Sequence, residues 1–200
     1  VNGGRRAGCG PRDTPSPKLD AAQEKYDLVF PPDLVAFFRD RRPVLGWDWR
    51  TDEVHIRRML AWPFEGILFD VEHGLWWRDW GERPETAAER AEALGAIIRG
   101  APKLIPLFGH RYLPAEPHEA GNPVFSVYQT DVIYYGADLE DYFEREFART
   151  NHPPPRPSRH IRFWSDLVER NGTFEWPHAD EMINRVRASL LRKRPPDEAQ

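Results

Sequence analysis

Imidazole and carboxylate side chains gather at two places in this chain. Glu72 and His73 are adjacent, and His110, Arg111, Glu116, His118, Glu119 and Asn122 share one proline-punctuated polar stretch. Such groups suit a divalent transition metal, or general acid–base work in which a positioned side chain exchanges a proton with a substrate. The spacing argues against both. There is no His-x-x-x-His and no His-Glu-x-x-His, and His110 and His118 lie eight residues apart across two prolines, so no regular element fixes their geometry. The competing reading, in which these side chains hydrogen-bond a loop onto a sheet, is stronger.

Other chemistries have less support. Ser126 sits between Phe125 and Val127 in a strand-like run with no Gly-x-Ser-x-Gly elbow. Cys9 lies in a Gly-, Pro- and Arg-rich N-terminal stretch whose neighbours give no support to a redox role, and reads as an inert exposed thiol. The glycines form no phosphate cradle, and Gly121-Asn122-Pro123 is turn chemistry. No catalytic residue, metal ligand or cofactor is therefore assigned. A candidate binding surface remains: His110, Arg111, Tyr112, Glu116, His118 and Asn122, with Glu72, His73, Trp76 and Trp77 as neighbours. The alternative is a small metal- or ligand-binding enzyme arranged around His110–His118.

Composition narrows the partner. The net charge is −4, from 28 basic and 32 acidic residues, so no positive field recruits nucleic acid, and a basic partner suits the sign better. One cysteine excludes an intrachain disulfide framework and a thiolate-rich zinc site. No apolar run is long enough to cross a membrane, and the first arginines have no apolar h-region behind them, so the expected location is the cytoplasm. Six of the 8 tryptophans fall between Trp47 and Trp80, which implies a packed aromatic wall with some members left for an interface.

Three apolar runs position the polar stretch: Leu104–Phe108 before it, then Val124–Tyr128 and Val132–Tyr135, the last two joined by a Gln129-Thr130-Asp131 hairpin turn. Upstream, Pro31-Pro32-Asp33 opens a helix whose apolar face is Leu34, Phe37 and Phe38, and Pro43 stops it. A turn or short strand at 46–50 leads to a helix capped by Thr51, with Ile56, Met59 and Leu60 inward. After Trp62-Pro63, the run Ile67–Val71 reads as a buried strand and Leu75-Trp76-Trp77 as a second, shorter one. Glu82 to Gly100 reads as a helix, with Thr86-x-x-Glu89 matching a capping box and Gly100 closing it. Asp138 precedes another, with Leu139, Tyr142, Phe143 and Phe147 inward.

The expected organisation is a disordered tail over residues 1–22, an α+β domain over 23–150, a proline linker over 151–160, a helical extension over 161–194 and a polar tail over 195–200. Ile161, Trp164, Leu167 and Val168 mark one helix of the extension, and Ile183, Val186 and Leu190 a second.

The runs PPDLVAFFRDRR, EGILFDVEHGLWW with WGERP, and LIPLFGHRYLPAEPHEAGNPVFSVYQTDVIYYGADLEDYF resemble the SUKH superfamily, which takes in yeast regulators of cell-wall synthesis and many bacterial immunity proteins. Within it, the chain is similar to a bacterial branch carrying the GHRYLPAEP…GNPVFSVYQTD…YYG signature, over roughly residues 26 to 150. The resemblance implies a single α+β domain, with a central, mainly antiparallel sheet flanked by helices, and no enzymatic activity. It also implies function through protein–protein binding, with a toxin domain as one kind of partner. It brings no catalytic residues with it.

Overall fold

Strand-forming residues between Leu104 and Gly136 build the sheet at the centre of the molecule. The computed structural model describes residues 17–40, 48–49, 51–147, 153–157 and 159–171. In chain order these form α1 (Pro17–Tyr26), α2 (Pro32–Asp40), α3 (Glu53–Glu72), a 3-10 turn at Arg78–Trp80, α4 (Ala87–Arg99), β1 (Leu104–Phe108), β2 (Arg111–Pro114), β3 (Val124–Tyr128), β4 (Asp131–Gly136), α5 (Leu139–Phe147) and α6 (Trp164–Asn171). The strands pair in sequence order, each antiparallel to the next. The chain is a single α+β domain with its antiparallel sheet flanked by helices.

β2 departs from the sequence expectation, which left His110–Asn122 as one loop. Arg111–Pro114 is an inner strand, with Tyr112 opposite Pro106 of β1 on one side and Phe125 of β3 on the other. Four residues containing an arginine and a proline are too short and too polar for alternation to announce a strand. Once paired, alternation sends Tyr112 to one face and Arg111 and Leu113 to the other. α3 covers the Tyr112 face. α5 covers the opposite one, where Tyr142 lies 6.0 Å from Tyr135 and Phe143 stacks on Phe37 of α2 at 3.9 Å.

The strand expected at Ile67–Val71 is the second half of α3. Buried Ile56, Met59, Pro63, Ile67, Asp70 and Val71 recur every three or four residues, one stripe that continues through the proline. Pro63 supplies no N–H for the carbonyl four residues back and would ordinarily break a helix at a cost of about 3 kcal/mol. That carbonyl belongs to Met59, and it accepts the hydroxyl of buried Tyr112 at 2.9 Å. The sheet thus supplies the donor that the helix lacks. Burial pushes the Tyr112 hydroxyl's pKa well up, which keeps it a donor. The N-cap of α3 is Asp52 and not Thr51, and it makes no side-chain capping bond.

One turn beyond Pro63, α3 approaches the β3–β4 hairpin. A Cβ on Gly66 would sit 3.0 Å from the Gln129 Cα, so the close approach requires glycine there. Gln129 itself takes a left-handed conformation (φ 58°). Buried Asp70 then pins the turn: the Thr130 N–H and hydroxyl both donate to Asp70 Oδ2, at 2.9 and 2.6 Å.

Leu75-Trp76-Trp77 is not a strand: among the described residues no strand pairs with it, and it runs into the 3-10 turn. The capping box at Thr86 and Glu89 forms as expected, and α5 begins where Asp138 Oδ1 accepts the Asp141 N–H at 2.8 Å.

Both ends of the described chain are more tightly integrated than composition implied. α1 begins at Pro17, inside the expected tail, and buries Ala22 and Tyr26, the latter edge-on to Trp49. α6 packs on the outer edge of β4, where Asn171 Nδ2 donates to the Val132 carbonyl at 2.8 Å, and Trp164 Nε1 donates to the Pro102 carbonyl at 2.7 Å. It is part of the domain and not an appendage. Cys9, Pro43, the helix expected around Ile183, Val186 and Leu190, and the polar tail at 195–200 lie outside the described residues.

Candidate functional site

The predicted site residues separate into three places. The first is the β1–β2 tip. Gly109 turns the chain, and His110 follows it half-buried, edge-on to Tyr128 at 6.3 Å. Burial, with the charge of Arg111 beside it, holds the His110 pKa below its ordinary value and favours the neutral ring. Arg111 points onto the α5 face. Its guanidinium lies 3.7 Å from the Tyr135 ring centroid, Nη1 donates to Ser126 Oγ at 3.0 Å, and Nε faces Glu146 Oε2 at 3.5 Å. That last distance is an ion pair outside normal hydrogen-bond range, and both atoms are shut away from solvent. The Tyr142 hydroxyl nearby is also buried without a hydrogen-bond partner, and its pKa is raised by that burial and by Glu146.

Beyond this polar group, at the same end of the sheet, stand exposed apolar side chains. Phe108, Arg111, Ser126 and Ile133 form one row across the four strands. Phe108 (41% exposed), Tyr128 (53%), Ile133 (48%) and Phe147 (41%) are the large hydrophobic side chains that this end leaves in water. Phe108 and Phe147 meet edge-on at 6.4 Å. None of these four was among the predicted site residues. The signal in the sequence was weak: each sits at the last position of an element or faces outward from the edge strand.

The second place is the β2–β3 loop, where Asn122 and Glu119 are spent on holding it. Asn122 is fully buried; its amide N–H groups donate to the carbonyls of Pro114 (3.1 Å) and Pro117 (2.9 Å), and its carbonyl accepts from Arg159 Nη1. Arg159 also reaches Glu119 at 2.8 Å, and Gly121 N–H donates to Asp33 of α2 at 2.9 Å. Glu116 is exposed, 3.6 Å from Arg162, and His118 is exposed. His110 and His118 stand beyond opposite ends of β2, and a four-residue strand spans about 13 Å. The metal- or ligand-site alternative built on that pair therefore loses its geometry. Tyr112 and Asn122 are corrected too. Both are fully buried, used by the fold and out of reach of a partner.

The third place is the tryptophan corner after α3. His73 Nδ1 lies 2.7 Å from the Phe69 carbonyl and its ring stacks on Phe69, so the histidine closes the helix end; Glu72 is exposed beside it. Trp76 spends its N–H on the Gly81 carbonyl at 3.0 Å. Trp77 is buried against Trp80, with the Arg170 guanidinium 5.3 Å from its ring, and Trp80 stacks on Phe163. Trp77 is thereby corrected from surface to interior: with Trp80 it seats the C-terminal segment.

Two further features were not foreseen. A cleft of about 320 Å³ lies between the N-terminal ends of α2 and α5, floored by Phe37 and Phe143 and rimmed by Asp33, Asp138 and Glu140; no predicted site residue lines it. Among the described residues, the one set of His, Asp and Glu side chains whose donor atoms all lie within 4.8 Å is His160, Asp166 and Glu169. His73, His110 and His118 belong to no such set. Asp166 and Glu169 share a helical face at i, i+3, which the sequence displays. The return of His160 over that face was not legible, because it depends on a left-handed turn at Phe163 (φ 68°).

No family model matches the chain, and neither a curated protein nor a solved structure matches it.

Proposed function

We propose that the chain is a non-catalytic protein-binding domain of the SUKH type, acting as an immunity or regulatory factor, and that it meets its partner with the open end of the sheet. The observation that carries this reading is the set of four exposed apolar side chains, Phe108, Tyr128, Ile133 and Phe147, at the end of the sheet that carries the Arg111–Tyr135–Glu146 group. Large apolar and aromatic side chains beside an ordered arginine are the composition of an interface core. The overall charge of −4 suits a basic partner. No helix among the described residues is long and apolar enough to cross a membrane.

The test is binding to the product of the adjacent gene, co-expressed and then measured with purified proteins. Tyr128→Ala and Ile133→Lys each weaken binding by about 30-fold or more, the effect of removing an interface hot spot. His118→Ala leaves it unchanged. The reverse pattern moves the surface to the β2–β3 loop, and the absence of any complex removes the immunity reading.

A further inference from the structure

We infer that His160, Asp166 and Glu169 form a surface site for one divalent transition-metal ion of the zinc type. The first support is distance. His160 Nε2 lies 3.0 Å from Asp166 Oδ1 and 3.6 Å from Glu169 Oε1, and all three donors fall within 4.8 Å of one another. With metal–ligand bonds of about 2.0–2.2 Å, a tetrahedral ion holds its donors roughly 3.4 Å apart. The observed separations straddle that value, so an ion needs only small side-chain movements to enter.

The second support is the frame around Asp166 and His160. Asp166 Oδ2 accepts the Phe163 N–H at 2.7 Å, which orients the carboxylate and leaves Oδ1 turned to the imidazole. His160 sits between two anchored neighbours: Arg159 is tied to Asn122 and Glu119, and Ile161 is buried with its N–H donating to Ser165 Oγ at 2.8 Å. Phe163, at the left-handed turn, is stacked on Trp80 and edge-on to Trp164. Ordinary surface ion pairs between flexible side chains have no such frame.

Donor type sets the ion. One imidazole and two carboxylates suit zinc, cobalt or nickel, whereas calcium and magnesium prefer all-oxygen shells. The N-terminal dipole of α6 works against a cation here, so both carboxylates are needed beside the imidazole. The three side chains leave a fourth position for water. Because Asp166 and Glu169 lie on α6 and His160 precedes it, a bound ion would fasten the turn at Phe163 to the helix that covers the edge of β4.

The experiment titrates the full chain with zinc chloride by calorimetry, and with cobalt(II) while recording visible absorption. One ion binds per chain, cobalt gives the intense band of a four-coordinate site, and zinc raises the unfolding temperature in proportion to its occupancy. His160→Ala and Glu169→Gln each weaken zinc by more than about 100-fold, beyond the 10–100-fold typical of losing an outer-shell contact. Cys9→Ser and His118→Ala bind as the unsubstituted chain does. His118, His160 and Glu169 are exposed and Cys9 lies outside the described residues, and circular dichroism serves as a check that the fold is kept. No saturable binding up to millimolar zinc overturns the proposal. So does equal affinity in His160→Ala.

Discussion

The two ends of β2 are three residues apart and are built on opposite principles. At the Pro114 end the loop turns its polar groups inward. Asn122 bonds two carbonyls, Arg159 clamps Asn122 and Glu119, and Asp33 takes the Gly121 N–H. At the Arg111 end an arginine and a glutamate face each other beyond hydrogen-bond range, a tyrosine hydroxyl is buried without a partner, and apolar side chains stand in water. A loop rich in His, Arg and Glu looks functional from its composition, yet its best-ordered polar groups, Asn122 and the Arg159–Glu119 pair, are consumed by the fold. The end with fewer charges is the one whose apolar side chains remain available to a partner. Polarity alone is therefore a poor locator of a site, and hydrogen-bond bookkeeping is a better one.

Substitution at each end separates the two cases. Arg111→Met strands Glu146 as a nearly buried carboxylate without its cation and destabilises the domain by about 3 kcal/mol in urea denaturation. Arg111→Met with Glu146→Leu recovers most of that loss. If the double variant is no better than the single one, the pair is not the tip's organising contact. At the other end, Asn122→Ala unpairs the Pro114 and Pro117 carbonyls and costs about 2 kcal/mol. It leaves partner binding unchanged, which a functional loop would not.

The centre of β2 offers a sharper test. Tyr112→Phe leaves the Met59 carbonyl unpaired and costs about 1–2 kcal/mol. In a Pro63→Ala background the helix supplies its own N–H to that carbonyl, so the same change costs close to nothing. A double-mutant cycle measures the difference; equal costs in both backgrounds would show that the proline and the tyrosine are not coupled.

The smallest effect concerns the hairpin that carries Tyr128. Burial raises the Asp70 pKa, against the hydrogen bonds from Thr130 that act to lower it. A carboxyl raised in the folded state adds stability that is fully present below its unfolded value, near 3.8, and is lost as pH rises through the folded value. The urea midpoint therefore falls across the range just above the ordinary carboxylate pKa. Asp70→Asn flattens that fall, and an unchanged profile in the variant would assign the dependence to another group.

Local chemistry was legible wherever one short stretch carried its own answer. The Thr86–Glu89 capping box, the amphipathic run of α5 and the hairpin at Gln129–Asp131 form where their residue types put them, because neighbours in sequence satisfy the bonds involved. α3 was misread at Pro63 because a proline signals a helix end to any local rule. The compensating donor comes from Tyr112, 53 residues away in sequence. The aromatic cluster near Trp77 was visible as a cluster, but its use in seating α6 depends on Phe163 and Arg170, far down the chain.

The sequence by itself determined an α+β domain, three of the four strands and most helix positions, through periodicity and capping that act over a few residues. The tertiary structure decided the rest. It made Arg111–Pro114 a strand by flanking it on both sides, turned Tyr112 and Asn122 from candidate contacts into core hydrogen bonds, and set His110 and His118 at opposite ends of that strand. It also brought His160 over Asp166 and Glu169. Each of these outcomes depends on which distant segment satisfies a donor, an acceptor or a buried charge, and that assignment is made only when the chain has folded.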